Sequence, residues 1–148
     1  MTNGKYAKIL VAIDGSDFSM KAADYAVSLA KEQNSTISAV SVVKFHQTDA
    51  FRGSTDTLAK FIRKQSGIAE GWLDSVRRKA DKNGIRFESR VIQTRTNVPE
   101  EIIKYAKDKK TDLIIIGTRG RTGFKKAILG SVAQAVVTHA GCPVMVIR

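Results

Sequence analysis

Short apolar runs rich in β-branched residues alternate along the chain with longer segments whose apolar positions recur every three or four residues. The short runs predict buried β-strands, because a strand covered on both faces is apolar at nearly every position. The run DLIIIG is the most hydrophobic and predicts a central strand, whereas IRFESRVIQ alternates and predicts a strand with one wetter face. The five predicted strands cover residues 7–13, 36–43, 85–93, 112–117 and 144–147.

The longer segments predict four amphipathic helices. The first follows DGSDFS, where Ser16 or Asp17 can cap its start. The third has Pro99 in its first turn and acidic residues just behind it, which suits the helix dipole. The predicted helices cover residues 18–32, a long segment that starts near 58, and residues 96–110 and 131–140.

The long helix ends at KNG, where Gly84 is the predicted C-terminal cap. Gly67 and Gly71 weaken this helix and predict either a kink or a close packing contact. Its predicted apolar stripe consists of Leu58, Phe61, Ile62, Ile68, Trp72, Leu73 and Val76.

This order of four βα units and a closing strand predicts a parallel, doubly wound α/β sheet. Neighbouring parallel strands need crossover connections, which are right-handed. In such sheets ligands bind beyond the carboxyl ends of the strands. Two loops of unusual composition reach that edge, namely DGSDFS after the first strand and residues 117–131 after the fourth.

Length and composition predict one domain spanning residues 1–148, because 148 residues with 43% hydrophobic content can bury a sizeable core. The sequence contains no run of about 18 apolar residues, so it predicts no membrane-spanning segment. The single cysteine, Cys142, excludes an internal disulfide, and its apolar setting GCPVMVIR favours a buried structural thiol. Together these features predict a cytoplasmic protein.

The formal charge of +11, from 25 Lys and Arg against 14 Asp and Glu, favours anionic partners. The cations are spread along the whole chain, and aromatic residues do not interleave with them as they do in proteins that stack single-stranded bases. The pattern therefore argues against nucleic acid as the main partner.

The loop at 117–131 combines the features that phosphate binding requires. Glycines let the backbone approach an anion closely, and Gly130-Ser131 opens a helix whose first N–H groups would point at it. Four cations and no acid lie between Gly117 and Gly130, and their positive charge would balance the negative charge of a bound phosphate. A glycine-rich surface loop with a serine cap remains the alternative interpretation.

Motifs of other nucleotide-dependent chemistry are missing. The chain has no G-x-x-x-x-G-K-[ST] and no G-x-G-x-x-G after a strand, and also no H-x-G-H or S-G-G-x-D-S stretch. His46 and His139 lie on different elements without a carboxylate at a telling spacing, which argues against a catalytic role. These absences favour binding over catalysis, with weak ATP hydrolysis left open.

The run from Gly117 to Ser131 reads G-x2-G-x9-G-S, which resembles the nucleotide-binding signature of the universal stress protein family. ILVAIDGSDFS resembles the first strand and turn of that family, and LGSVAQAVVTHAGCPVMVIR its last helix and strand, so the likeness covers essentially the whole chain. The resemblance implies a Rossmann-like, five-stranded parallel sheet flanked by helices, in the order 3-2-1-4-5. It also implies ATP binding, since members with the intact signature bind ATP.

The resemblance further implies which residues meet the nucleotide. The first two signature glycines would lie against ribose and phosphates, and the start of the last helix would hold the phosphates. The end of the first strand would meet adenine and ribose, and Val42 would line the adenine pocket. The implied site residues are Ala12, Ile13, Asp14, Val42, Gly117, Arg119, Gly120, Arg121, Gly130, Ser131 and Val132.

We therefore expect a stress-response protein that binds ATP with Mg²⁺, or a related nucleotide such as AMP or cyclic AMP, and acts as a nucleotide-dependent switch or partner-binding module. One alternative is a slow ATPase or phosphotransferase. Another is a basic module that binds nucleic acid or protein and has no nucleotide. The role of the charge and of residues 44–56 is open.

The closing strand Val144–Ile147 predicts a homodimer. If this strand ends the sheet, its edge carries unpaired backbone groups that a second copy can cover across a two-fold axis. The family resemblance implies the same assembly.

Overall fold

The computed structural model describes residues 4–46, 55–119 and 129–148, whose strands form one parallel sheet flanked by helices. The sheet has the order 3-2-1-4-5, so the predicted fold class and strand order are confirmed. Along the chain the elements are β1 (Lys8–Ala12), α1 (Asp17–Gln33), β2 (Thr36–Lys44), α2 (Thr55–Lys82), β3 (Phe87–Thr94), α3 (Val98–Asp108), β4 (Leu113–Gly117), α4 (Ser131–His139) and β5 (Val144–Ile147).

Successive residues of the central strands face opposite layers of helices, as the two-residue period of a strand requires. Ile9 and Val11 of β1 pack with α1 and α2, whereas Leu10 between them packs with α3 and α4. Every position of β4 is buried, which confirms the prediction of a covered central strand. β3 lies at one edge with Glu88 and Arg90 exposed, and this is the predicted wetter face.

Helix α2 corrects two details of the predicted packing. Ile68 is 41% exposed, so its place on the apolar stripe is wrong, and the neighbouring Ala69 is buried instead. One residue is about 100° around a helix, and an alanine lets the helix lie close to the sheet. A Cβ atom added at Gly67 or Gly71 would meet nothing within 4 Å, so the predicted close packing contact is also wrong. Gly84 has a φ of +65°, as expected of the residue that ends the helix.

Cys142 is half-buried and packs against the cluster beneath α3 and α4. Burial, with a smaller contribution from the Asp112 carboxylate, raises the pKa of its thiol, which keeps the sulfur protonated near neutral pH. In the described ranges no helix is long and apolar enough to cross a membrane.

The carboxyl end of β4 lies in close contact with the first turn of α1. A Cβ atom at Gly117 would come within 2.8 Å of the carbonyl carbon of Phe18, so no larger residue fits here without a backbone shift. The glycine that opens the signature therefore has a packing role. Its contact fixes where the chain leaves the sheet.

We predict that Gly117→Ala lowers the free energy of unfolding by about 1–3 kcal/mol, because the added methyl group meets backbone that cannot yield. Gly67→Ala is the matched control, since its methyl group enters open space on a helix. It should raise the free energy of unfolding by about 0.5–1 kcal/mol. Urea unfolding of both variants tests the contact, and equal effects would contradict it.

Candidate functional site

A cavity of about 170 Å³ lies at the carboxyl edge of the sheet, between the ends of β1, β2 and β4 and the first turns of α3 and α4. We call it the strand-edge cavity. It lies where the reversal of strand order on either side of β1 leaves a crevice, the usual ligand position in doubly wound sheets.

Nine of the eleven predicted site residues line this one cavity although they come from four separate parts of the chain. Gly120 and Arg121 lie outside the described residues. What the lining residues bind stays a prediction. The nine are Ala12, Ile13, Asp14, Val42, Gly117, Arg119, Gly130, Ser131 and Val132.

Further lining residues were not predicted from the sequence. Most are apolar and come from the same sheet face as Val42 or from the first turns of α3, so the walls of the cavity are largely aliphatic. Strand alternation would have found Val40, since it lies two residues from Val42 and on the same face of β2. The additional lining residues are Ser19, Val40, Val98, Ile102, Ile116, Thr118 and Ala133.

Helix α4 begins at the cavity with its backbone donors uncapped. Its N-cap is Gly130, which supplies no side-chain acceptor, and its first turn contains no acidic residue. The first intrahelical bond is donated by Gln134 to the Gly130 carbonyl, so the three preceding N–H groups have no partner within the helix. By contrast, Ser16 caps α1 and Asn97 caps α3, and both of those first turns contain acids.

Backbone hydrogen bonds fix the position of that helix start. The Gly130 N–H donates to the Thr118 carbonyl at 2.5 Å, and the Thr118 N–H donates to the Ile147 carbonyl at 2.8 Å. The end of β4, the end of β5 and the start of α4 are thus joined through one residue. The donors of α4 are held toward the cavity before any ligand arrives.

On the opposite wall, the DGSDFS turn holds Asp14 in a network of short-range bonds. One carboxylate oxygen of Asp14 accepts from the Ser16 N–H at 2.9 Å and from the Ser16 hydroxyl at 2.5 Å. The Asp14 N–H donates to the Ser19 hydroxyl, which in turn donates to the Ser16 carbonyl. The carboxylate is therefore positioned by the backbone that also caps α1.

Trp72 supports this turn from below. It is half-buried against the α1 and α2 core, as expected, but its indole also lies directly against Gly15. A Cβ atom at Gly15 would lie 2.3 Å from the ring, and the φ of +82° already excludes most side chains. The sequence does not reveal this contact, because the two residues are far apart along the chain.

Positive charge at the cavity comes from Arg119, whose guanidinium lies 5.8 Å from the centre of the Phe18 ring. Asp14 is the one carboxylate on the wall among the described residues, and no described histidine lines the cavity. In the part of the chain that the structure describes, no group of three potential metal ligands occurs.

Comparisons with known proteins agree with the fold and the motifs. A family model described as the universal stress protein family matches residues 5–148. A universal stress protein of Methanocaldococcus jannaschii is 34% identical, over 97% of this chain and 82% of that protein. One of Bacillus subtilis is 36% identical, over 97% of this chain and 99% of that protein. The solved UspA structure from Lactobacillus plantarum is 26% identical with a TM-score of 0.82, over 99% of this chain and 100% of that one.

Three more distant solved structures contain nucleotides. A universal stress protein in complex with cAMP is 21% identical, with a TM-score of 0.69 over 98% of both chains. One from Archaeoglobus fulgidus in complex with dAMP is 21% identical, with a TM-score of 0.67 over 97% of this chain and 99% of that one. One from Arabidopsis thaliana with AMP bound is 17% identical, with a TM-score of 0.69 over 95% and 90%. These likenesses show a shared fold.

We predict that Gly15→Ala destabilises the protein more than Gly84→Ala does. Both glycines have positive φ, so alanine costs about 1–2 kcal/mol at either position. At Gly15 the methyl group must also displace Trp72, which adds a packing cost of about 1–3 kcal/mol. The difference between the two midpoints in urea isolates the Trp72 contact. A difference near zero would show that the indole moves away freely.

Proposed function

This chain belongs to the universal stress protein family, and on that premise we propose that its strand-edge cavity binds ATP together with Mg²⁺ and that the protein acts as a nucleotide-dependent switch. The start of α4 carries the proposal. Three N–H groups without an intrahelical partner, a glycine cap and a first turn free of acids form an anion site beside an apolar cavity.

The shape and chemistry of the walls favour a nucleoside attached to the phosphates. Val40, Val42 and Ile116 offer the flat aliphatic surface that a purine base requires, and Asp14 offers an acceptor for a sugar hydroxyl or an amino group. The complexes of related proteins with AMP, dAMP and cAMP support an adenine nucleotide as the class of ligand. Preference for ATP is the finer part of the proposal.

The charge on the phosphates would be balanced by backbone donors, by Arg119 and by a cation that the nucleotide brings. Mg²⁺ would be held chiefly by phosphate oxygens, and Asp14 is the described carboxylate able to reach it or its water shell. The cytoplasmic location and the single domain spanning residues 1–148 stay predictions.

We also propose that two copies pair through β5. Pro143 and Ile147 direct their carbonyl groups to β4, so the alternate residues Val144 and Val146 direct their backbone groups to the open edge. No charged residue interrupts the strand, and Val137 on the adjacent α4 is 45% exposed. An uncharged, apolar edge of this kind is suited to pairing with its own copy.

Thermal unfolding with Mg·ATP, AMP and cyclic AMP tests the nucleotide proposal. A ligand at about 100 times its Kd adds roughly 2.7 kcal/mol of stability, which raises the midpoint by about 5–10 °C for a domain of this size. We expect the largest rise with Mg·ATP. No rise at millimolar concentration of any of the three would overturn the proposal.

Substitution of Gly130 separates binding from folding. Gly130→Asp should abolish the nucleotide-induced rise in the unfolding midpoint. The new carboxylate would accept hydrogen bonds from the N–H groups that are proposed to bind phosphate, and its negative charge would repel the phosphate. Without ligand, the midpoint of thermal unfolding of this variant should equal or exceed that of the wild type, since aspartate is a favourable N-cap. Gly130→Val should also abolish the rise, through bulk alone. Nucleotide binding by Gly130→Asp at wild-type strength would remove α4 from the site.

The dimer proposal predicts that Val146→Pro yields a monomer in sedimentation velocity. Proline removes the N–H that points to the open edge and leaves the bonds to β4 in place. Val146→Thr keeps that N–H and the branched shape, so it should remain dimeric. A wild-type monomer, or a dimer in the proline variant, would show that β5 is not the interface.

A further inference from the structure

A groove of about 590 Å³ lies between α3 and α4, on a different face of α3 from the one that lines the strand-edge cavity. We call it the α3/α4 groove. Pro99, Ile103 and Ala135 contribute apolar surface to it, and Lys104, Lys107 and His139 contribute polar surface. From Pro99 to Lys107 it follows about 12 Å of α3, at about 1.5 Å per residue.

Two lysines supply the positive charge beside the groove. Among the described residues, Lys104 and Lys107 have no carboxylate within 4 Å, and both are exposed. Glu100 also lines the groove, one turn before Lys104 on α3, so the lining has two lysines against one carboxylate and keeps a positive surplus. An occupant that is complementary to this surface therefore combines apolar side chains with acidic ones.

This chemistry selects among the possible occupants. A second copy of the chain, with 25 Lys and Arg against 14 Asp and Glu, has few acidic residues to offer the lysines, and its proposed pairing surface is the edge of β5. A nucleic acid would satisfy the lysines but has no aliphatic side chains to cover Ile103 and Ala135. An amphipathic helix with acidic residues beside its apolar stripe satisfies both, in the way that such helices bind grooves in other proteins.

The same two helices also form the strand-edge cavity. Val98 and Ile102 of α3, and Ser131 and Val132 of α4, line the cavity on one side of the pair. Within the described ranges no side-chain hydrogen bond or ion pair joins α3 to α4, and the contact rests on apolar packing. A ligand held at the start of α4 can therefore shift this helix against α3 and change the groove.

We propose that the α3/α4 groove binds an acidic amphipathic helix of a partner protein, with an affinity that depends on the nucleotide in the strand-edge cavity. The dependence rests on the proposed function, whereas the groove itself does not. The pair of sites converts nucleotide binding into a change of partner affinity.

Fluorescence anisotropy with a labelled synthetic peptide tests the proposal. The probe is a helix of about 18 residues with leucine on one face and glutamate on the other, and its control has lysine in place of each glutamate. We expect the acidic peptide to bind, the basic one not to bind, and Mg·ATP to change the Kd by about five-fold or more. Binding of the basic peptide with equal strength, or no binding of the acidic one, would overturn the proposal.

Charge-reversed variants locate the binding surface. Lys104→Glu with Lys107→Glu should weaken the acidic peptide about ten-fold or more. Lys64→Glu with Lys82→Glu, exposed on α2, makes the same change in net charge and should have less than about a two-fold effect. Equal losses would show non-specific attraction by the basic surface. If a single-stranded oligonucleotide binds instead, and the groove variants weaken its binding to the same degree, the partner of the groove is a nucleic acid and not a protein helix.

The midpoint of thermal unfolding separates the two proposals. If Mg·ATP raises the midpoint but leaves the peptide Kd unchanged, the coupling is wrong and the nucleotide site stands. If Mg·ATP changes neither quantity, the proposed function fails, and peptide binding alone then reports whether the groove is a docking site. If Ile103→Asp, with its fold verified by circular dichroism, binds the peptide as tightly as wild type, the apolar part of the groove is excluded from the site.

Discussion

The close contact between Gly117 and Phe18 determines how the carboxyl edge of the sheet is built. At Gly117, β4 lies closer to the first turn of α1 than a Cβ atom would allow, so the chain leaves the sheet at a fixed point. The next residue, Thr118, then bonds to β5 through its N–H and to the start of α4 through its carbonyl. Four elements thus meet within two residues, and the position of the α4 backbone donors at the cavity follows from this junction.

Such a junction is suited to anion binding because it removes the cost of organising the donors when a ligand binds. The N–H groups of α4 are held by main-chain bonds, which do not compete with a phosphate for the same atoms. On the opposite wall, Asp14 is likewise fixed by main-chain geometry and by a tryptophan placed against Gly15. One wall offers donors and the other an acceptor, with aliphatic side chains between them.

The sequence predicts the order of elements because it depends on patterns that are local in the chain, whereas the resemblance to the family is what indicates most of the cavity wall. The two-residue and 3.6-residue periods identify strands and helices, and the carboxyl ends of parallel strands meet at one edge. The predicted stripe misplaces Ile68 because it consists of large apolar residues, whereas the small residue Ala69 is the one that is buried. Trp72 and Gly15 were not connected because only the tertiary fold brings them together. Gly117 shows a third limit, since a packing requirement and a ligand requirement both select glycine.

Helix α4 connects the three surfaces that matter for function. Its first turn faces the cavity, Ala135 lines the groove beside α3, and Val137 is exposed on the helix next to β5 in the chain. Only Ala133 and Val136 of this helix are buried, so apolar burial holds it weakly compared with α1, which buries six residues. The proposed coupling requires that this helix move about its N-cap, Gly130, which is bonded to Thr118. The element proposed to receive the phosphates is therefore also the element whose movement the other two surfaces would register.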